Sequence, residues 1–431
     1  MSHSLTTELV HLIRAKPASK ADLGLAARFT LDAVANALAG RQSAPGQILA
    51  KWAAGAGRDA GRRAFLMGAL THILETDDIH RESVVHPGCV VVPAAWAIAE
   101  REGISGHGFL RAVLAGFEAA CRVGSAVGPA HYRIWHNTAT CGPFGAAMAS
   151  ATLLRLPDGA CVDALGNAGT QSSGLWEFMA TGAMSKHLHA GRAAESGLIA
   201  ADLARHGFTG PPEILEGARG FFKAACPDAR PDLVIAGPDS PWALTRTSIK
   251  PWPSCRHTHP AIDAAQRLRA RIGNRAIHSA AVETYQAALD VCDRVRPQTA
   301  YEAKFSLQHC VAAALAGDVL DFSGFETSAR AQYADLAARV SIAVGEPFRS
   351  AYPAAWGARV SVTLPDGVTM TETSPHAPGD PEAPLSDATF LAKTRMLLAH
   401  GQVPDGEGVI AAILGLADDG PLPPLHFAGR V

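Results

Sequence analysis

The spacing of apolar residues predicts a helical first half of the chain. Over residues 5–244, apolar side chains recur mostly three and four positions apart, which is the period of one face of an α-helix. Many intervening positions are Ala or Gly, whose small side chains let helices pack closely. The helical period is clearest over residues 20–38, 110–127, 145–154 and 193–205. We therefore expect a compact helical domain in this part of the chain.

After Pro251 the pattern changes to the alternation of apolar and polar residues that is typical of half-buried β-strands. Pro365-Asp366-Gly367 has the composition of a tight turn and predicts a hairpin. The predicted strands cover residues 276–285, 338–344, 358–364 and 368–373. Helical patterns over residues 260–271 and 303–316 lie between them, so this part of the chain predicts an α+β domain.

A chain of 431 residues is longer than a single hydrophobic core usually serves, so we expect two domains. Residues 387–400 return to the helical period, and a helix there could rejoin the first domain. We predict a helical domain over residues 1–253, an α+β lid domain over residues 254–385, and a C-terminal return to the helical domain over residues 386–431. The predicted fold class is mainly α with α+β.

The overall composition narrows the possible partners. Hydrophobic residues make up 48% of the chain, charged residues make up 18%, and the net charge is −2. This balance predicts a well-buried soluble protein without the basic surface that binds nucleic acid or an anionic membrane. No segment approaches the roughly 20 apolar residues of a membrane span, and the N-terminal residues lack a signal-peptide core. We expect a cytoplasmic protein that acts on a small molecule.

The eight cysteines are scattered along the chain without a C-x-x-C pair. This spacing favours reduced thiols over a disulfide framework or a zinc ribbon, and it lacks the usual ligand runs of an iron–sulfur cluster. A glycine run over residues 55–61 imitates a dinucleotide-binding fingerprint. It follows the helical pattern of residues 48–54 instead of a strand, so we predict no dinucleotide site there.

The first cluster of ionisable residues covers residues 75–88 in the helical part. It fits a charged helix end followed by a loop. A metal site built from Asp77, Asp78, His80 and His86 is the alternative, because these are metal-ligating residue types, although their spacing matches no defined metal motif.

The second and third clusters also lie in the helical part. Residues 135–142 place hydroxyls and an asparagine immediately before a helix, which suits anion binding by backbone N–H groups. The alternative is ordinary N-capping, with His136 as a buried core histidine. The third cluster contains Lys186, which could be a fixed cation for a substrate carboxylate, a proton donor, or a surface lysine at a helix start.

The fourth cluster covers residues 250–260, where the helical pattern gives way to the α+β pattern. Domain junctions are a preferred place for active sites. A metal clip made of Cys255, His257 and His259 is the alternative for this loop.

In this order the four clusters resemble the signatures of the MmgE/PrpD family, and the resemblance covers nearly the whole chain. The matching motifs are Asp77-Asp78-x-His80 with His86-Pro87, His136-x-Thr138 with Gly142 and Gly145, Lys186-x-Leu188-His189-x-Gly191, Gly207-Phe208-Thr209-Gly210-Pro211 with Ile214-Leu215-Glu216-Gly217, Lys250-Pro251-x-Pro253, and Glu302-Ala303-Lys304-Phe305-Ser306. One motif alone is weak evidence, whereas the ordered set is specific for the family.

The resemblance implies a large discontinuous helical domain, a smaller α+β lid domain, an active site between them, and a homodimer. It implies an enzyme without a cofactor or metal that acts on a small polycarboxylate, as 2-methylcitrate dehydratase, cis-aconitate decarboxylase and iminodisuccinate epimerase members do. The catalytic residues carried over by motif are His86, His136, Lys186 and His259. The residues expected to bind the substrate are Asp78, His80, Arg81 and His257.

These reactions share the loss of a proton or of CO₂ next to a carboxylate, which builds negative charge in the transition state. We expect one of His86 and His136 to remove a proton and the other to return one, because imidazoles exchange protons near neutral pH. Lys186 would stabilise the negative charge. Asp78 would orient a histidine, and His259 would complete the site from the lid.

Two departures from the family pattern bear on which reaction we expect. Glu75-Thr76-Asp77-Asp78-Ile79 stands where dehydratase and decarboxylase members tend to have Asp-Phe-Asp-Asp-Thr, and residues 289–294 contain no counterpart of the decarboxylase tyrosine. Both departures argue against cis-aconitate decarboxylation, and the first also argues against the dehydratase members and favours an epimerase-like branch. From the resemblance as a whole we expect a 2-methylcitrate dehydratase-like lyase. The alternative is an epimerase or isomerase of an amino- or imino-dicarboxylate, and a cis-aconitate decarboxylase-like enzyme ranks third. A non-catalytic binding protein and a zinc hydrolase are the alternatives from other classes.

Overall fold

The computed structural model describes residues 4–55, 59–104, 106–317, 320–425 and 427. In chain order the described α-helices are α1 (Leu5–Ala15), α2 (Lys20–Gly40), α3 (Ala44–Ala53), α4 (Ala60–His72), α5 (Gly88–Glu102), α6 (Gly106–Ala126), α7 (Pro129–Tyr132), α8 (Asn137–Leu153), α9 (Asp158–Gly169), α10 (Ser185–Arg205), α11 (Phe221–Ala225), α12 (His259–Ile272), α13 (Gln286–Cys292), α14 (Ala300–Ala303), α15 (Leu307–Ala316), α16 (Thr327–Ala337), α17 (Phe348–Ala351), α18 (Asp387–His400) and α19 (Gly406–Leu414). The described strands are β1 (Ile79–His80), β2 (Thr247–Ser248), β3 (Ser279–Thr284), β4 (Val340–Val344), β5 (Ala358–Thr363) and β6 (Thr369–Ser374). Short 3₁₀ helices cover Trp176–Ala180, Pro231–Val234, Ala243–Arg246, Arg256–Thr258, Phe322–Phe325 and Gly415–Asp418.

The chain divides into two compact units. The helical unit contains Met1–Ile249 and Leu391–Val431, and the α+β unit contains Lys250–Phe390. Helices dominate the first unit, and helices and a four-stranded sheet make up the second. This confirms the predicted fold class, mainly α with α+β.

Small residues bring α6, α8 and α10 into close contact inside the helical unit. A Cβ atom at Gly116 on α6 would lie 2.8 Å from the carbonyl oxygen of Gly145 on α8, and a Cβ at Gly145 would lie 2.7 Å from that of Gly116. A Cβ at Gly197 on α10 would lie 2.5 Å from the carbonyl oxygen of Pro143. Since larger residues would force these helices apart, the glycines fix how α8 and α10 pack together.

Two helices of this unit are longer than the sequence predicts. Helix α8 begins at Asn137 and not near residue 145, and α10 begins at Ser185 and not near residue 193. The first turns of both helices carry buried polar side chains, among them Thr138 and Lys186. The apolar period that identifies a helix is therefore missing from these turns.

The sheet of the α+β unit has the strand order β4-β3-β5-β6. Strand β3 runs parallel to β4 and antiparallel to β5, and β5 pairs with β6 as a hairpin. In the connecting turn, the amide of Leu364 donates to the carbonyl of Val368, and Gly367 has a φ of +85°, which favours glycine. The predicted hairpin is confirmed.

The sequence predicts a single helix over residues 303–316, and the predicted start of this helix is wrong. Helix α14 ends at Ala303, and α15 begins only at Leu307. Ser306 caps α15, since its Oγ accepts a hydrogen bond of 3.0 Å from the amide of His309. Strand β3 is also shorter than predicted and begins at Ser279.

The glycine run at residues 55–61 follows α3 and ends within the first turn of α4, and its residues 56–58 lie outside the described residues. The element before it is a helix, as predicted. None of the eight cysteines, all buried, forms a disulfide. Within the described ranges, no helix combines the length and apolar character needed to span a bilayer.

Candidate active site

The segment between α4 and α5, residues 73–87, folds back through the interior of the helical unit. Glu75 and Val84 adopt left-handed backbone conformations, with φ of +63° and +52°. Such conformations are unfavourable for residues other than glycine, and they persist where surrounding contacts hold them, often at functional sites. Residues 75–78, which we call the acidic segment, begin at the first of these turns.

Asp77 of the acidic segment contacts two imidazoles. Its Oδ2 lies 2.6 Å from Nδ1 of His72 and 3.3 Å from Nδ1 of His86. All three side chains are buried. Burial alone would raise the pKa of the Asp77 carboxyl, but the charges and hydrogen bonds of His72 and His86 hold that pKa well below its usual value. An ionised carboxylate can only accept hydrogen bonds, so Nδ1 of His72 carries a proton in this contact.

His136 is buried at the N-cap of α8, where its ring stacks on that of His72 with 5.6 Å between centroids. Its Nδ1 lies 3.3 Å from Nδ1 of His189, and its buried Nε2 forms no hydrogen bond with any residue that the structure describes. Burial lowers the pKa of His136 well below its ordinary value, and the positive charges of His72 and Lys186 lower it further. His136 is therefore uncharged near neutral pH and able to accept a proton.

Lys186 lies in the first turn of α10 and pairs with Glu75 of the acidic segment. Its Nζ is 2.5 Å from Oε1 of Glu75, and the two side chains are 9% and 3% exposed. His189 follows one helical turn later, so it lies on the same face of α10 as Lys186. Burial and the charge of His72 lower the pKa of the intervening His187 to about 3.

The structure thus places three predicted catalytic residues in one group, in which neighbouring side chains connect them. These residues are His86, His136 and Lys186. We refer to this group as the polar cluster. It consists of His72, Glu75, Asp77, His86, His136, Lys186 and His189.

The prediction that Asp78 orients a histidine is wrong, because Asp77 contacts the imidazoles instead. The carboxylate of Asp78 accepts hydrogen bonds of 3.0 and 3.1 Å from the amide of Gly88, the first residue of α5. Burial raises the pKa of the Asp78 carboxyl well above its usual value, and the charges of Asp77 and Asp32 raise it further. Asp78 therefore fixes the start of α5, two residues after His86.

His80 and Arg81 are both predicted to bind substrate. His80 ends β1, which follows the acidic segment, and Arg81 begins the next turn. The Nδ1 of His80 lies 2.9 Å from Oγ of Ser83. Burial lowers the pKa of His80 to about 3, with further contributions from the positive charges of Arg246 and Arg81. Arg81 is half-buried. A role of either residue in substrate binding stays a prediction.

His257 and His259 lie in the α+β unit and have different partners. The Nδ1 of His257 lies 2.7 Å from the hydroxyl of Tyr285, and Nε2 of His259 lies 3.3 Å from the carbonyl oxygen of Ser254. Burial lowers the pKa of His257 to about 3. The alternative metal clip of Cys255, His257 and His259 is not formed, since the two imidazoles bond to separate groups. Their roles in catalysis and substrate binding stay predictions.

A metal ion could be held by His72, Asp77 and His86, because one ligand atom from each lies within 4.8 Å of the others. This set differs from the sequence-based alternative, in which Asp78 and His80 were ligands. The ionised Asp77 carboxylate already accepts the Nδ1 proton of His72, and a metal would have to replace that bond. The arrangement therefore fits a hydrogen-bonded carboxylate–imidazole group directly and a metal only after rearrangement.

A cavity of about 770 Å³ opens in the helical unit beside the polar cluster. Its lining includes Trp135, Phe178, Leu188, His189 and Arg192. His189 borders this cavity and contacts His136 through its Nδ1. The imidazole of His189 therefore lies between this cavity and His136.

Sequence reasoning missed His72, which lies at the centre of the polar cluster, because it ends an apolar helix without a motif around it. It also chose Asp78 over the adjacent Asp77 as the carboxylate that orients a histidine. A signal was present for His189: its spacing of three from Lys186, at a helix start, places both side chains on one face. Tyr285, the partner of His257, lies outside the motifs that drew attention to the α+β unit.

Comparisons with known proteins support the family resemblance over both units. The sequence model of the MmgE/PrpD N-terminal domain matches residues 6–234, and that of the MmgE/PrpD C-terminal domain matches residues 252–414. The chain is 29% identical over 391 residues to a cis-aconitate decarboxylase of Aspergillus terreus, covering 83% of this chain and 79% of that protein. It is 26% identical over 377 residues to the cis-aconitate decarboxylase of Homo sapiens, covering 82% of this chain and 76% of that protein. Given that the two domain models together span most of its length, the chain belongs to the MmgE/PrpD family.

Proposed function

We propose that this protein is a lyase that acts on a small polycarboxylate by acid–base chemistry at a carbon next to a carboxylate. The observation that carries the proposal is the buried polar cluster, in which an uncharged imidazole, a carboxylate–imidazole group and an ammonium group lie together. Buried ionisable groups are costly to keep in a protein interior unless they are paired or used. The names of the relatives, cis-aconitate decarboxylases, point to the same class of reaction and substrate.

In the proposed mechanism, His136 accepts or returns the proton at the reacting carbon. Its lowered pKa keeps the imidazole uncharged near neutral pH, and its Nε2 is the ring nitrogen that no described residue engages. His86 is the second proton-transfer group, and Asp77 holds its orientation together with that of His72. Positioned acid–base groups of this kind typically contribute about 10² to 10⁴ in rate.

Lys186 stabilises the negative charge that develops on the substrate carboxylate. A fixed cation in a site shielded from water acts strongly on such a charge. Glu75 holds the ammonium group in place in the protein without substrate. A substrate carboxylate therefore has to share Lys186 with Glu75, and this sharing would favour substrates whose carboxylate reaches Nζ from the side opposite Glu75.

Two lyase reactions fit this chemistry. In decarboxylation, the C–C bond to the leaving CO₂ breaks, and the electron pair left on the substrate takes up a proton from an imidazolium. In dehydration, an imidazole removes a proton next to a carboxylate, and the hydroxyl leaves as water after it is protonated. The relatives favour decarboxylation of cis-aconitate, whereas the departures at Glu75 and Ile79 argue against it and favour an epimerase-like reaction. The polar cluster supports the proton transfer that all these reactions have in common.

The test is an NMR screen of the purified protein in D₂O with cis-aconitate, 2-methylcitrate, citrate and iminodisuccinate. Decarboxylation gives a deuterated product one carbon shorter, dehydration gives an alkene, and epimerisation gives deuterium in recovered substrate without an alkene. We expect turnover of at least one tricarboxylate. Binding of all four compounds without conversion or exchange would contradict the proposal and favour a non-catalytic binding protein.

We also propose that turnover requires no bound metal. The support is the hydrogen bond of 2.6 Å between Asp77 and His72, which uses the carboxylate that a metal would need. Prolonged treatment with EDTA followed by desalting should leave the rate unchanged. Loss of turnover that zinc restores would contradict this statement and favour a metal-dependent hydrolase or lyase.

We further propose that the protein is a cytoplasmic homodimer. Leu175 and Leu188 are each about half exposed, at 51% and 50%, and both line the cavity of the helical unit, so they offer an apolar surface for a second copy. The absence of disulfides among the eight cysteines suits a reducing compartment. Light scattering of wild type and of the Leu188→Glu variant tests the assembly: a dimeric variant would exclude this surface, and a monomeric wild type would exclude the dimer.

A further inference from the structure

The ammonium group of Lys393, on α18, is buried against the backbone of the acidic segment. Its Nζ donates to Oδ1 of Asp32 at 2.5 Å and to the carbonyl oxygen of Thr76 at 2.7 Å. The side chains of Lys393 and Asp32 are each only 2% exposed. A lysine 317 residues away in sequence thus binds the central part of the acidic segment.

A second contact holds the other polar group of Thr76. Its hydroxyl donates to Oδ1 of Asn36, and Nδ2 of Asn36 donates to the carbonyl oxygen of Asp32 at 2.9 Å. Asp32 and Asn36 lie one turn apart on α2, so they present one rigid surface. Thr76 is therefore held by both its carbonyl and its hydroxyl.

The two neighbours of Thr76 provide the acidic groups of the polar cluster. Glu75, which pairs with Lys186, has the left-handed φ of +63°, and Asp77 contacts His72 and His86. A left-handed residue other than glycine relaxes unless its neighbours hold it. A shift of Thr76 would move both carboxylates at once.

We propose that Lys393 is a positioning residue for the reaction, which holds Glu75 and Asp77 in place through Thr76. This inference rests on the proposed function, because it gives Lys393 a part in that reaction. A buried ion pair is often no more stabilising than a well-packed apolar pair, so stability alone gives no reason for an ion pair at this position.

The test compares Lys393→Met with Lys16→Met. Lys16 is a matched control, since it also forms a buried ion pair in the helical unit, with Glu118 at 2.8 Å, but it also contacts the carbonyl oxygen of Pro241 and not the acidic segment. Both variants should lower the melting temperature. Only Lys393→Met should lower kcat, by about 100-fold, because small displacements of catalytic groups have effects of this size.

A readout without substrate separates this inference from the proposed function. The Nδ1 proton of His72, bonded to Asp77, should give a far-downfield proton NMR signal. We expect Lys393→Met to shift or abolish that signal and Lys16→Met to keep it. If the wild type turns over no substrate, the proposed function fails and the NMR comparison still decides whether Lys393 places Asp77.

A milder variant covers the case in which Lys393→Met does not fold. Thr76→Val keeps the ion pair of Lys393 with Asp32 and removes only the hydroxyl that bonds to Asn36. It should also shift the His72 signal and lower kcat by about tenfold, in line with loss of one positioning hydrogen bond. Variants that melt earlier but keep the wild-type signal and kcat would overturn the inference and leave Lys393 with a purely structural role.

Discussion

Nδ1 of His72 lies 2.6 Å from Oδ2 of Asp77, and this contact keeps a proton on Nδ1. The low pKa of Asp77 keeps its carboxylate ionised, so His72 donates from Nδ1. Because the same carboxylate lies 3.3 Å from His86, one acid fixes the orientation of two imidazoles. The proton-transfer chemistry of the polar cluster therefore depends on a residue two positions away from the left-handed turn at Glu75.

The first prediction concerns Asp77→Asn. The amide keeps the shape of the side chain but can present N–H to His72, which would stabilise the wrong tautomer. We expect kcat to fall by about 100-fold or more, in the range of a lost acid–base arrangement. Steady-state kinetics checks this. Asp59→Asn is the control, because Asp59 only caps α4 through the amide of Arg62 and should leave kcat unchanged. A wild-type kcat for Asp77→Asn would show that Asp77 does not set the tautomer.

The second prediction separates the two roles of the Lys186–Glu75 pair. Lys186→Met breaks the buried ion pair with Glu75, so we expect a loss of about 3–5 kcal/mol in the free energy of unfolding. The double variant Glu75→Gln with Lys186→Met removes both charges and should recover most of that stability. Denaturant titration measures the stability, and kinetics measures the turnover.

The double variant should nevertheless stay at least about 100-fold below wild type in kcat, because it lacks the cation that stabilises the substrate's charge. Recovery of turnover along with stability would mean that Lys186 serves folding alone. Lys186→Arg, which keeps the charge, should retain more activity than Lys186→Met.

The third prediction concerns stability and pH. His80 and His187 have pKa values lowered to about 3 by burial and neighbouring charges, whereas a histidine in the unfolded chain has a pKa of about 6.5. Between these values the unfolded state binds more protons than the folded state, so the free energy of unfolding falls as the pH is lowered. Urea midpoints at pH 7.5 and 5 should show this decrease.

A variant and a control sharpen the pH test. His187→Gln removes one of the groups responsible, so its urea midpoint should depend less steeply on pH below about 6.5. His107→Gln changes a histidine whose side chain is 46% exposed, and it should keep the wild-type slope. Equal slopes for wild type and His187→Gln would contradict the assignment of His187 as a buried neutral imidazole.

The fourth prediction concerns the start of α5. A Cβ atom at Gly88 would lie 2.5 Å from Oδ1 of Asp78, so Gly88→Ala must displace the carboxylate that the Gly88 amide binds. We expect a loss of about 1–3 kcal/mol in unfolding free energy from the broken buried hydrogen bond. Turnover should fall with it, because His86 lies two residues before Gly88.

Gly24→Ala on α2 is the matched control for Gly88→Ala. A Cβ atom at Gly24 meets no atom within 4 Å. Since alanine is a better helix former than glycine, this variant should be as stable as wild type or more stable, by up to about 1 kcal/mol. A Gly88→Ala variant that behaves like Gly24→Ala in stability and kcat would rule out the role given to Asp78.

The fold class could be predicted because the periods of helices and strands are local in sequence, and the Pro365-Asp366-Gly367 hairpin is an example. Capping was harder to predict. Helix α15 begins at Leu307, four residues later than the apolar period indicates, and Oγ of its N-cap Ser306 accepts a hydrogen bond from the amide of His309. Likewise, the first turns of α8 and α10 carry buried polar side chains, so they lack the period that marks the rest of each helix.

The candidate site could be predicted in part. The motifs identified His86, His136 and Lys186, which the structure brings together in the helical unit. The sequence could not assign Asp77 and Asp78, because the roles of adjacent acids depend on the backbone path, here set by the left-handed φ of Glu75. It could not identify His72 or Lys393 either, since both meet the acidic segment only through the packing of helices distant in sequence.

The most direct test of the central claim is the rate at which solvent deuterium enters the carbon skeleton of product or recovered substrate, measured by NMR for wild type and His136→Asn. The account predicts a rate about 10² to 10⁴ lower in His136→Asn, because the buried imidazole moves the proton. His107→Asn, which changes an exposed imidazole, should keep the wild-type rate. Deuterium incorporation in His136→Asn as fast as in wild type would contradict the account.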